Sequence, residues 1–149
     1  MDVQVAVLAD YANVAAGDKL NVMGIFDTIW APTFPTVLPF MVLALRLRLD
    51  YEDGGRTHDL AISLRDEDGR EYLRAAAKAN VAAIEPGRFQ NVNQVLNFAG
   101  TGFGKAGTYA FHIAWDGVES ARVDLIIIEG TSPGGSPPGM TGTPGLPPS

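Results

Sequence analysis

Between residues 41 and 51 every odd position is large and apolar, running Met41, Leu43, Leu45, Leu47, Leu49 and Tyr51, while the even side turns polar through Arg46, Arg48 and Asp50. Successive side chains of an extended chain point to opposite faces. A repeat of two therefore marks a strand with one buried side, and it cannot line up one face of a helix. The pattern recurs: Leu60, Ile62 and Leu64 alternate with Asp59, Ser63 and Arg65. It returns in Tyr109, Phe111, Ile113 and Trp115, and again in Ala121, Val123, Leu125 and Ile127 beyond Asp116-Gly117. Turn chemistry at residues 52–55 (Glu-Asp-Gly-Gly) and at Asp116-Gly117 predicts a hairpin at each place. A third hairpin is expected between residues 3–14 and 20–30, joined by Ala16-Gly17-Asp18-Lys19, in which Gly17 can take positive φ and Asp18 can bond its own backbone.

Pro32, Pro35 and Pro39 remove three backbone donors, so residues 31–39 read as a crossing between sheets and not as a central strand. Residues 90–98 add one more strand. The segment 70–84 is ambiguous: Leu73, Ala77, Val81 and Ile84 have helical spacing among six alanines, yet Asp66-Glu67-Asp68-Gly69 before it is hairpin chemistry. We assign it as strand. Seven to eight short strands in residues 1–129 predict an all-β domain, an antiparallel β-sandwich of immunoglobulin-like arrangement. The chain has no Cys, so the likeness is to the architecture and the core must hold by burial alone.

Composition changes at residue 130. The last 20 residues hold six Gly, six Pro and no charged side chain, which predicts a disordered or extended tail. Gly139, Gly142 and Gly145 have collagen-like spacing but too few triplets for a triple helix. An extended tail of this length reaches about 60 Å, enough to dock on a neighbouring subunit.

With 11 basic and 17 acidic side chains the net charge is −6, which argues against nucleic acid, because phosphate backbones are bound by concentrated Lys and Arg. Asp2 and Asp10 interrupt the N-terminal apolar stretch, so no secretory signal is expected. The most apolar window, residues 37–45, contains Pro39 and runs into Arg46, well short of a bilayer span. A cytoplasmic protein is the expectation. Without Cys there are no thiolate, disulfide or zinc-ribbon sites. Gly102-Phe103-Gly104-Lys105-Ala106-Gly107 fits G-x-G-x-x-G, but a strand follows where a dinucleotide site needs a helix. Asp66, Glu67 and Asp68 are adjacent and lack the alternating spacing of a calcium loop, so a solvated turn is expected. No cofactor or metal is predicted.

His58 and His112 are the only imidazoles, and the sequence sets no carboxylate beside either at a catalytic spacing. His112 falls on the side of its strand opposite Tyr109, Phe111, Ile113 and Trp115. The aromatics Trp30, Phe34 and Phe40 bracket the proline-rich crossing and are the candidate interaction surface, unless Trp30 and Phe40 plug the end of the core.

The run Ala9-Asp10-Tyr11-Ala12-Asn13-Val14, then Gly17-Asp18-Lys19-Leu20-Asn21-Val22-Met23-Gly24-Ile25-Phe26-Asp27 and Ala31-Pro32-Thr33-Phe34-Pro35, resembles the opening of an uncharacterised family. Its members are small bacterial proteins of unknown function, often actinobacterial, which close on a Gly-x-Tyr strand and an Asp-Gly hairpin. Here these are Gly107-Thr108-Tyr109 and Asp116-Gly117. The resemblance covers residues 3–128 and implies a bacterial β-sandwich; it carries no activity and no site residues. The function expected is a non-catalytic structural or protein-interaction module, a subunit of a homo-oligomeric assembly with the tail docked on a neighbour. The alternatives are a small-ligand or carbohydrate-binding module using the aromatics, and an enzyme with His58 or His112 beside a carboxylate in a pocket.

Overall fold

A computed structural model describes residues 1–133, and the tail expectation beyond Pro133 falls outside the described residues. The alternating segments become strands β1 (Asp2–Ala15), β2 (Lys19–Phe26), β3 (Thr28–Ala31), β4 (Thr36–Leu49) and β5 (Arg56–Asp66). They are followed by β6 (Glu71–Val81), β7 (Gln90–Phe103), β8 (Gly107–Trp115) and β9 (Val118–Glu129). Two sheets result, ordered β2-β1-β4-β7 and β3-β9-β8-β5-β6. The expected sandwich is there, with nine strands instead of seven or eight. Neighbours are antiparallel except β3 and β9, which run parallel. Among the described residues no helix is long and apolar enough to cross a membrane.

The alternation places Leu8, Met41, Leu43, Leu45, Leu47 and Leu49 of the first sheet against Leu60, Ile62, Leu64, Phe111, Ile113 and Leu125 of the second, all of them buried. Each such side chain stabilises the fold by about 2 kcal/mol relative to an exposed position. The segment 70–84 is strand, as assigned: β6 pairs β5 from Arg56↔Val81 to Leu64↔Leu73. Its alanines fit a sheet edge, where Ala75 and Ala79 pack against the core. The hairpins at residues 16–18 and 116–117 also form.

One expected pairing does not form, and another is shorter than expected. Residues 41–51 and 59–65 are not a hairpin, because β4 lies in one sheet and β5 in the other. Residues Tyr51–Asp53 make a single 3-10 turn that carries the chain between layers, so the two leucine faces meet across the core and not side by side. Residues 20–30 are likewise two strands. The chain changes sheet at Asp27, whose carbonyl accepts from the Ile126 N–H at 2.7 Å. The crossing is shorter than expected, residues 32–35 with a cis Phe34–Pro35 bond, and Pro39 lies within β4. Pro39 is tolerated there because pairing of β4 with β1 has already ended at Ala9↔Val42, so no bond to β1 is lost.

Beyond Ala9 the β1–β2 ribbon leaves its sheet. At the bend Gly24 takes φ +70° against Asp10, and a Cβ there would crowd the Asp10 side chain. Val42 and Ala44 alternate with the core leucines and so point away from the main core, yet both are fully buried. Ala12, Leu20 and Val22 of the ribbon cover them, beside Val95 of β7, as a second small core. Near the tip, the Asp18 carbonyl accepts from Asn93 Nδ2 of β7 at 2.6 Å. The ribbon is therefore an arm folded over the outside of β4 and β7.

Candidate functional site

The three aromatics singled out from the sequence do not come together. Trp30 on β3 is 37% exposed, beside Gly130, whose N–H donates to the Ala31 carbonyl at 2.9 Å. Phe40 on β4 is 45% exposed. Neither plugs the core; the half-buried Phe34 packs against it instead. The arm carries the larger apolar surface. Tyr11 and its cross-strand partner Met23 are 52% and 65% exposed, and Ile25 is 64% exposed. The sequence reading did not single these three out, because nothing local to the ribbon marks which of its faces is covered.

Each imidazole has a carboxylate partner, contrary to the expectation from spacing. His58 is buried on β5 and stacks on Trp115 with ring centroids 4.6 Å apart. Its Nε2 lies 2.8 Å from the Asp53 carbonyl and its Nδ1 lies 2.6 Å from Asp116 Oδ2. Both partners only accept hydrogen bonds, so the site is built for the imidazolium, with a proton on each nitrogen. Burial pulls the His58 pKa down, but the bonds to Asp116 and to the Asp53 carbonyl outweigh it and hold it above the ordinary value. The His58 bond and the Asp59 N–H in turn hold Asp116 below the usual carboxylate range. Burial raises Asp53, but the Asp50 N–H at 2.9 Å and the Met1 ammonium at 3.0 Å bring it below its ordinary value. With both nitrogens bound and one face covered, His58 offers nothing to a substrate. It is a clasp joining β5, the 3-10 turn and the β8–β9 turn.

The acidic turn is committed to the fold. Asp66 Oδ1 accepts from the N–H groups of Asp68 and Arg70, and its Oδ2 accepts from the Tyr72 hydroxyl at 3.0 Å. Burial and that bond push the Tyr72 phenol up to about 12. Glu67 accepts from the Thr108 N–H at 3.0 Å. Of the glycine-rich run, Gly102 and Phe103 close β7 with Phe103 buried in the core, and Gly107 opens β8, so this run carries the chain from one sheet to the other.

His112 is different. It stands on the outer face of the second sheet, as its position opposite the Tyr109 face required, and its Nδ1 is hydrogen-bonded to Glu119 of β9. Ser63, Arg65 and Arg74 line the same shallow cleft, of about 350 Å³, floored by Ala61 and Ala114. Nothing local in the sequence places these groups together, since they come from four strands.

Residues 4–128 match the profile of a family of unknown function, DUF6941. The chain belongs to that family. The matched region runs from within β1 to the penultimate residue of β9, so it takes in both sheets, the arm, the His58 clasp and the His112 cleft. Membership in an uncharacterised family agrees with the resemblance read from residues 3–128. No curated protein matches the chain.

Proposed function

We propose that this DUF6941 member is a non-catalytic interaction module, a cytoplasmic subunit of a homo-oligomeric assembly, and that the β1–β2 arm is its contact surface. One observation carries the reading. The arm buries one set of apolar side chains on β4 and β7 and leaves Tyr11, Met23 and Ile25 more than half exposed on a single ribbon. Large apolar side chains grouped in this way mark contact surfaces, whereas singly scattered ones need no explanation. The saturated bonding of His58 supports a structural and not a catalytic role for the buried imidazole. The lack of Cys fits a reducing compartment, and the net charge of −6 fits a protein partner better than nucleic acid. Docking of the tail on a neighbour is a second contact in the same reading.

Light scattering across a concentration series tests it, on the full chain, on a chain ending at Glu129, and on a Tyr11→Ser/Met23→Ser variant. The expected result is a mass above the monomer for the full chain, a monomer for the double variant with unchanged thermal midpoint, and a weakened assembly on truncation. A full chain that stays monomeric at every concentration overturns the proposal.

A further inference from the structure

Strand register sets one transverse row across the outer face of the second sheet. Arg74 of β6 is directly opposite Ser63 of β5, Ser63 is opposite His112 of β8, and His112 is opposite Arg122 of β9. Directly opposed residues share a face, and at ~4.8 Å per strand the four Cα atoms span about 14 Å, well within reach of two inward-folding arginines. On β5 and β8 the row is flanked by Ala61 and Ala114 on one side and by Arg65 and Ala110 on the other, with Glu119 at the rim of the first side and Asp66 and Glu67 at the rim of the second. The small alanines leave two adjoining clefts of about 350 and 390 Å³ that share Arg65 and His112.

Arg65 decides the chemistry. It is half-buried beside the row, and among the described residues it has no carboxylate partner and no side-chain hydrogen bond. A guanidinium drawn partly out of water and not engaged in an ion pair gains charge-assisted bonds when an anion reaches it. Arg74 and Arg122 pair with Glu71 and Asp124 at 3.0 Å, but these are exposed pairs that cost little to open. Glu119 is taken up by His112 Nδ1, which leaves Nε2 as the ring atom able to meet a ligand.

We infer that this row, together with Arg65 beside it, is a binding site for a small phosphate-bearing molecule, with the phosphate held by Arg65, Arg74 and the Ser63 hydroxyl and bordered by His112 Nε2. Guanidinium forks match phosphate oxygens two at a time, the hydroxyl of Ser63, a residue buried at the base of the cleft, donates a further bond, and the alanine floor leaves space for the rest of the molecule. The site lies on a different sheet from the arm, so it stands or falls independently of the oligomer reading.

The test is a ¹H–¹⁵N chemical-shift titration of the full chain with inorganic phosphate, and separately with acetate, at constant ionic strength. Saturable shifts at Ser63, Arg65 and His112 are expected with phosphate. Affinity should fall about tenfold in Arg65→Ala and in Ser63→Ala, the loss of one charge-assisted or hydroxyl bond. Arg48→Ala, which removes a guanidinium from the other sheet, should change nothing. Shifts that do not saturate, a response equal in Arg65→Ala, or an equal response to acetate would each overturn the inference.

Discussion

His58 shows how one side chain acquires a role that its sequence neighbours do not reveal. Its partner Asp116 is 58 positions away, and the contact exists because β5 and β8 are adjacent and the β8–β9 turn curls back onto Asp59. Folding raises the pKa of His58, so the stability it contributes is complete below its unfolded value and is lost as pH rises through the folded value. Folding lowers that of Asp116, so its contribution is present above the ordinary carboxylate range and is lost as pH falls through the folded value. The destabilisation caused by Asp116→Asn should therefore be largest at about pH 5 to 6 and shrink by about pH 9. Urea unfolding of both proteins at the two pH values checks this, and an unchanged difference would contradict it. Replacing His58 by Ala removes two buried bonds and the Trp115 stack and should cost about 3 kcal/mol near pH 6.

Among the elements, the arm depends most on a single backbone conformation. Gly24→Ala must hold an L side chain at φ +70° and push the exposed Asp10 carboxylate aside, which predicts a loss of about 1 to 2 kcal/mol, most of it backbone strain. Amide exchange should accelerate through residues 10–15 and 19–26 while the β5 and β8 amides keep their protection; uniform acceleration would mean that the arm is not a separable unit. That residues 3–14 and 20–26 pair was legible, because Gly17 and Asp18 encode the turn locally. That the ribbon leaves its sheet was not. It follows from two buried positions on β4, Val42 and Ala44, which look like the solvent side of an alternating strand. The same blindness produced the false hairpin between residues 41–51 and 59–65. Glu52-Asp53-Gly54-Gly55 permits a reversal, but whether the reversed strands lie side by side or in facing layers is settled by β1 and β7, which occupy both edges of β4.

Across the whole molecule, one main core joins the two sheets, so a cavity at its centre should weaken both together. Leu45→Ala, at a fully buried position, is expected to cost about 2 to 5 kcal/mol while unfolding remains a single transition by circular dichroism and Trp fluorescence. Separate transitions would show that the sheets are energetically independent. Side-chain alternation set the all-β class and the identity of most residues of the main core, and local turn chemistry set the hairpins that reverse at residues 16–18, 66–69 and 116–117, because strand facing and tight-turn geometry are properties of a few consecutive residues. Strand order, the parallel β3–β9 pair, the apolar face of the arm, the clasp around His58 and the row from Arg74 to Arg122 arose only when distant segments packed. Each joins groups separated by tens of residues, and what brings such groups within bonding distance is the shared burial of apolar faces, which carries no local mark in the chain.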